Sequence, residues 1–444
     1  MFEKMTTKKI CHIVCKQKMS KFPRILVIST DPFSKESPNG RTLGSLFTYY
    51  PPECIAQLYS NDYSLDLIDC KYFQISDKML LKSLFSFGRP GKETYYKDFF
   101  IGDPAQAKPK FKKTPFSCLV RDLLWSTGLY KSKALKKWLN DFDPECIILF
   151  ASDRPFQFNF VRKFSKKRNI PLFIYNSEEY YFSSRSYLNR KAEYTFLYHT
   201  WFSRIKRSFN KMMNQATYCI YISEELEEQY GKFFPNQKAI ALYTSTDWKP
   251  IDYHPAKRPF AVSFFGRIYL GRAHSLIDIA TALHNTGLPY TFKVCGTGKE
   301  KEIQRLKRCP YLEFRSIVPY NEVEMMSKES DLILNVTSLK GNRSINALFQ
   351  FSTKVPDCLA SGVPFLAYGA KELSFMQYLK KHDAAFVAES KEEMEEIISL
   401  LVNKPSIRTK HIRKALKLVE QNHDIIKNCD KFNEIIISNC KKKN

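Results

Sequence analysis

Phe260-Ala261-Val262-Ser263-Phe264-Phe265-Gly266-Arg267-Ile268-Tyr269-Leu270-Gly271-Arg272 is the stretch whose reading decides the fold. Its first six residues are apolar or small, too few for a buried helix, and they stop at a glycine. Helical periodicity follows over 274–286. The unit therefore reads as buried strand, glycine turn and helix. It repeats downstream: strand 290–294, helix 299–307, strand 312–317, helix 321–328, strand 331–336, helix 353–361, strand 364–367, helix 372–380, strand 384–388 and helix 391–402. Residues 408–437 read as one long helical tail. Strands apolar on both faces and joined by helices imply a parallel sheet covered on both sides.

Working upstream, residues 247–259 carry three prolines and little periodicity, the composition of a linker. Before them a second alternating series begins at Arg24-Ile25-Leu26-Val27-Ile28-Ser29. A loop ending at Asn39-Gly40 and a helix from Thr42 follow, then short strands at 54–59 and 65–70. Residues 76–140 are less regular, with a basic helix from Leu129 to Leu139. Strands at 145–150, 172–175, 216–222 and 239–243 alternate with helices at 156–168, 202–215 and 224–233. The expected organisation is an N-terminal extension 1–22, a first domain 23–246, a linker 247–259, a second domain 260–407 and a helical tail 408–444.

The chain has 444 residues, with 70 Lys and Arg against 45 Asp and Glu, a net charge of +25, and 35 Phe and 25 Tyr. That surplus favours anionic partners: phosphorylated substrates, an acidic membrane face or nucleic acid. No nucleic-acid-binding motif accompanies it, and none is expected as a partner. Phe, Trp and Tyr interleave with Lys between Phe85 and Trp138, which points to peripheral contact with an anionic membrane. Lys and His interrupt every apolar run before Pro23, so no signal peptide is read, and no apolar run reaches the length of a bilayer span. Twelve Cys lack zinc-like pairing, which suits a reducing compartment. The expected location is cytoplasmic, at the inner face of the membrane.

Three segments carry chemistry. Gly266 lets backbone approach a ligand at the end of a strand, and Arg267 and Arg272 can clamp a diphosphate. Val294-Cys295-Gly296-Thr297-Gly298 repeats the device at the carboxyl end of the next strand, where a parallel sheet opens its ligand crevice. Ser352-Thr353-Lys354-Val355-Pro356-Asp357 precedes Ala360-Ser361-Gly362-Val363-Pro364. There Lys354 can hold phosphate oxygens and Asp357 can accept from ribose hydroxyls. Each has a plain alternative as solvated charge or a packing turn; the combination is the signal.

In this order and spacing, with Asp331-Leu332-Ile333-Leu334 between them, these elements make residues 260 to about 388 resemble the donor domain of GT-B glycosyltransferases. The likeness is to family 4 and related bacterial polysaccharide enzymes. The segment around Asn422-His423-Asp424 resembles that family's closing helix. The resemblance implies an α/β fold of two Rossmann-like doubly wound domains facing a central cleft, with a C-terminal helix returning to the first domain.

It also implies site residues. Arg267, Arg272 and Lys354 would contact the donor diphosphate. Gly296, Thr297, Val318 and Asp357 would meet the nucleoside, and Asn342 and Arg343 the donor sugar. Family 4 often places a Glu where Phe349 stands. In the first half, Asn39 and Gly40 form a candidate cleft loop, and Glu178 and Glu179 follow a strand where a carboxylate could act as catalytic base. No metal and no cofactor is expected; a nucleoside-diphosphate sugar serves as donor, and a glycan or lipid-linked hydroxyl as acceptor. A sugar-nucleotide epimerase of the same fold and a non-catalytic nucleotide- or glycan-binding protein stay open as alternatives.

Overall fold

The computed structural model describes residues 22–85, 90–97, 113–182, 195–255, 259–269, 271–339, 348–349 and 351–440. The first sheet holds β1 (Ile25–Ile28), β2 (Ile55–Tyr59), β3 (Lys71–Gln74), β4 (Lys92–Thr94), β5 (Cys146–Phe150), β6 (Leu172–Asn176), β7 (Tyr218–Tyr221) and β8 (Ala239–Ala241). Their order is β4-β3-β2-β1-β5-β6-β7-β8. β1 pairs in parallel with β2 and β5, Ile25 facing Ile55 on one side and Cys146 on the other. Only edge strand β4 is seen to run antiparallel, against β3. Every residue of β1, β2, β5 and β6 is buried, as expected for strands covered on both faces.

The second sheet holds β9 (Phe260–Ile268), β10 (Tyr290–Gly298), β11 (Glu313–Arg315), β12 (Leu332–Val336), β13 (Phe365–Tyr368) and β14 (Phe386–Ala388). Its order is β11-β10-β9-β12-β13-β14, with every pairing parallel. The chain winds outward from β9 through β10 and β11, then returns to β12 on its other side. β9 and β12 therefore flank the switch point, where a doubly wound sheet exposes a crevice at its strand ends. Phe264, Leu276, Ile279, Val294, Leu334 and Leu366 belong to its buried apolar core.

By internal contacts the chain divides into two compact units. One comprises Met1–Tyr175, Arg207–Cys219 and Cys429–Asn444; the other comprises Asn176–Lys206 and Ile220–Asn428. The C-terminal helix Ile425–Asn439 thus ends in the first unit. There Phe432 meets Phe47 edge-on with centroids 5.0 Å apart, and Cys429 Sγ donates to the Ser45 carbonyl.

Three expectations change. Asn39 and Gly40 lie in the first turn of the helix Pro38–Leu46, not in a loop. Ser37 caps that helix through Gly40 N, and Pro38 supplies a preset φ at its first position. The strand read at 65–70 is displaced to β3. Asp66 instead accepts from Lys35 N, and Tyr72 OH donates to the Ile68 carbonyl. The tail is not one helix: Ile412–Leu418 passes through a π turn at Val419–His423 and an extended Asp424 before Ile425. Asp424 is extended because it bridges in parallel to Thr246.

Candidate functional site

β9 and β10 stay paired beyond their apolar portions, Gly266 facing Gly296 and Ile268 facing Gly298. The glycines permit this. A Cβ on Gly296 would overlap the Gly266 carbonyl oxygen and stand 3.0 Å from its carbon; one on Gly298 would stand 2.9 Å from the Ile268 carbonyl carbon. Gly296-Thr297-Gly298 is therefore strand rather than a turn, and the helix Glu300–Lys307 starts directly after it. Gly266 has φ +143°, a conformation that side chains disfavour.

Lys354 occupies the space left by the missing side chain of Gly266. A Cβ there would lie 2.5 Å from Lys354 Cε and closer still to Nζ. The ammonium also sits 4.6 Å from the centroid of the Phe264 ring, so the stem packs on strand β9 while the charge stays at its carboxyl end.

Arg267 follows Gly266 and is exposed. Arg272 Nη1 donates to the Arg267 carbonyl at 2.9 Å, and its guanidinium lies 4.7 Å from the Tyr269 ring centroid. Burial lowers the Arg272 pKa, and Tyr269 opposes that shift. Gly271 caps the helix Arg272–Asn285 at φ +84°, bringing the positive end of a 14-residue helix to the same corner. Lys354 and Arg272 are thus brought to the backbone of Gly266 and Arg267, at the carboxyl end of β9.

Asp357 lies in the short helix Val355–Ala360. Its Oδ1 accepts from Thr246 Oγ1 at 2.7 Å and its Oδ2 from Tyr320 OH at 3.0 Å. Thr246 in turn donates its N–H to the His423 carbonyl, so the carboxylate is tied to the closing segment. Val318 is half-buried in the loop after β11, and Thr297 is half-buried at the end of β10. Asn342 and Arg343 lie outside the described residues.

Two polar residues at the end of β12 escaped sequence reading. Asn335 Nδ2 and Thr337 Oγ1 are buried and have no hydrogen-bond partner among the described residues. Ser352, two residues before Lys354, donates its Oγ hydroxyl to Asn335 Oδ1 at 3.5 Å. An asparagine ending an otherwise apolar strand, Leu332-Ile333-Leu334-Asn335-Val336, was the available signal.

The two glutamates after β6 differ sharply. Glu179 is fully buried, and its Oε1 accepts from the backbone N–H groups of Tyr181 and Phe182. It holds the local backbone, against the solvated pair that a loop suggests. Glu178 is half-buried, with Tyr180 OH donating to Oε2 at 3.2 Å. Phe349 meets Phe182 edge-on, and Phe182 stacks on Phe233. Gly40 sits so close to the preceding loop that a Cβ would lie 2.9 Å from Ser34 N. Among the described residues no cluster of His, Cys, Asp and Glu could hold a metal ion, and no helix is long and apolar enough to cross a membrane.

Residues 274–434 match the family model described as glycosyl transferase-like. A search of curated proteins finds no match. The fold is similar to that of Anabaena HepE in complex with UDP, with 13% identity, TM-score 0.59, and 94% of this chain and 100% of that one covered. Sucrose-phosphate synthase from Thermosynechococcus elongatus aligns at 9% identity and TM-score 0.60, over 94% and 99% of the two chains. The lipopolysaccharide outer core galactosyltransferase WaaB aligns at 12% identity and TM-score 0.53, over 93% and 99%. Residues 274–434 thus carry a glycosyl transferase-like domain, and the chain has the fold of these GT-B structures.

Proposed function

We propose that the chain transfers a sugar from a uridine-diphosphate sugar to a hydroxyl of a glycan or lipid-linked acceptor, in the synthesis of a cell-surface polysaccharide. The observation that carries the donor assignment is the packing of Lys354 against Gly266 and of Arg272 on the Arg267 carbonyl, at the glycine-opened end of β9. Transfer breaks the bond between the anomeric carbon and the β-phosphate oxygen, and the departing diphosphate gains negative charge. Fixed cations beside it stabilise that charge without reorganisation. HepE has been seen with UDP and with UDP-glucose, which supports the choice of uridine.

In this reading the donor half spans 260–407 and the acceptor half 23–246. Gly296, Thr297 and Val318 line the base. Asp357 meets the ribose, its carboxylate oxygens having lone pairs beyond those used by Thr246 and Tyr320. Of the two glutamates, Glu178 is the candidate to accept the acceptor proton, because Glu179 is fully buried and its Oε1 is held by backbone N–H groups. Asn342 and Arg343 are assigned to the donor sugar by family likeness. The acceptor carries the enzyme to the inner face of an anionic membrane.

The test is a thermal-shift screen of nucleoside diphosphates. UDP should raise the Tm, and Lys354→Ala should abolish the rise. An unchanged shift in Lys354→Ala overturns the diphosphate assignment. Turnover of labelled donor without acceptor would indicate an epimerase instead.

A further inference from the structure

The helix Pro115–Ser126 is amphipathic in the unexpected sense. Thr114 and Ser117 form a reciprocal capping box, so its start is well defined. Its inner face buries Cys118, Asp122 and Trp125. Arg121, on the next turn from Cys118, pairs with Asp153 at 3.7 Å. The outward face instead shows Phe116, Val120 and Leu123, exposed to 63%, 42% and 59%. At i, i+4 and i+7 these form one stripe. A surface helix ordinarily turns such a stripe toward the core.

The neighbouring helix Asp77–Phe85 extends the patch. Trp125 Nε1 donates to Asp77 Oδ1 at 2.7 Å, tying the two helices together. The second helix ends in Leu84 and Phe85, exposed to 51% and 90%. Lys78 and Lys82 on it are exposed, as is Lys113 just before the capping box. Between Asp77 and Trp138 the described residues include ten Lys or Arg and three acidic residues, Asp77, Glu93 and Asp122. Asp77 is hydrogen-bonded to Trp125, Asp122 is buried, and Asp153 pairs with Lys113 and Arg121, so the remaining outward charge, with Glu93 the exposed acid, is mostly positive.

We propose that the helices Asp77–Phe85 and Pro115–Ser126 form the surface by which this enzyme lies on an anionic lipid bilayer, Phe85, Phe116, Val120 and Leu123 entering the interface and the flanking lysines meeting lipid phosphates. Charge complementarity selects this occupant. A second copy of the chain would bring the same positive field against it. Nucleic acid would satisfy the lysines and leave the apolar stripe in water. An anionic bilayer surface offers negative charge and hydrocarbon at adjacent depths. The inference deepens the membrane contact stated above and rests on that part of the reading; the donor site is independent of it.

The experiment is flotation of the full chain with phosphatidylcholine vesicles, with or without a third of phosphatidylglycerol, in the absence of sugar nucleotide. Binding should require phosphatidylglycerol and weaken steeply toward 1 M salt, where screening shortens to about 3 Å. The triple variant Phe85→Ser, Phe116→Ser, Leu123→Ser should lose about tenfold or more in partitioning. Lys78→Glu with Lys82→Glu should lose a comparable factor, since each lysine near an anionic surface contributes roughly fivefold and reversal does more than remove it. All five side chains are exposed, so circular dichroism and the UDP thermal shift should stay at wild-type values, which separates this inference from the donor assignment. Equal binding to both vesicle types, full retention by the triple variant, or no vesicle binding would overturn it. So would a salt-sensitive complex with RNA, or a dimer without lipid, that the triple variant abolishes.

Discussion

Replacing Gly266 by alanine tests the donor corner through its backbone. The new Cβ would fall on the terminal atoms of Lys354, 2.5 Å from Cε, and the flexible end of that lysine is what must move. Two losses follow. At φ +143° an alanine is strained by about 1–3 kcal/mol, which lowers the Tm by several degrees. The displaced ammonium forfeits a charge-assisted contact to the diphosphate worth about 1.5–3 kcal/mol, so UDP should bind roughly 10- to 100-fold more weakly. Isothermal titration with UDP on wild type, Gly266→Ala, Lys354→Ala and the double variant measures this directly. Because both substitutions remove the same contact, the double variant should bind no worse than the weaker single one. A folded Gly266→Ala with wild-type UDP affinity, or strictly additive losses, would refute the reasoning. Gly296→Ala is the contrast: its Cβ meets backbone that cannot step aside, so the expected outcome is loss of the folded protein.

Two further outcomes follow from buried ionisable groups. His423 Nδ1 lies 2.8 Å from the Thr244 carbonyl and so donates to it, while Nε2 accepts from Tyr378 OH at 2.9 Å; burial, opposed by that Thr244 bond and assisted by His382, holds its pKa down at about 4. The unfolded chain therefore takes up this proton from about pH 6.5 downward while the folded one resists until about pH 4. Stability should fall by about 3 kcal/mol across that window, and His423→Gln should flatten the pH dependence of the urea midpoint; an unaltered slope would count against it. For the glutamates, Glu178→Gln should lower kcat by about a hundredfold or more with little change in Tm. Glu179→Gln should lower Tm first, because its oxygen holds the Tyr181 and Phe182 N–H groups; the reverse pattern would exchange their roles.

The strands and their winding were legible because buried parallel strands leave apolar runs and helices leave a 3.6 period. Local chemistry also marked Gly266, Gly296 and Gly298, although it read as turns what the structure pairs as strand. It misled where two local signals competed: Asn39-Gly40 reads as a turn, yet Ser37-Pro38 starts the helix there. Between residues 76 and 140 it marked the basic helix that the structure places at Lys133–Phe142, but missed the helix Pro115–Ser126, which faces its apolar stripe outward and so lacks the expected relation to a core.

The identity of the cations was in the sequence, since Arg267 and Arg272 each follow a glycine and Lys354 opens the segment that runs to Gly362. Their meeting was not. Lys354 comes 88 positions after Gly266, and only the return of β12 to the flank of β9 brings the segment after it over that strand end. The fate of each carboxylate likewise depended on distant partners: Thr246 and Tyr320 for Asp357, the turning backbone of 181–182 for Glu179. A sequence fixes which groups carry charge and which residues can leave room. Whether a charge faces a ligand, a backbone dipole or another side chain is settled by long-range strand order, and no local window contains that.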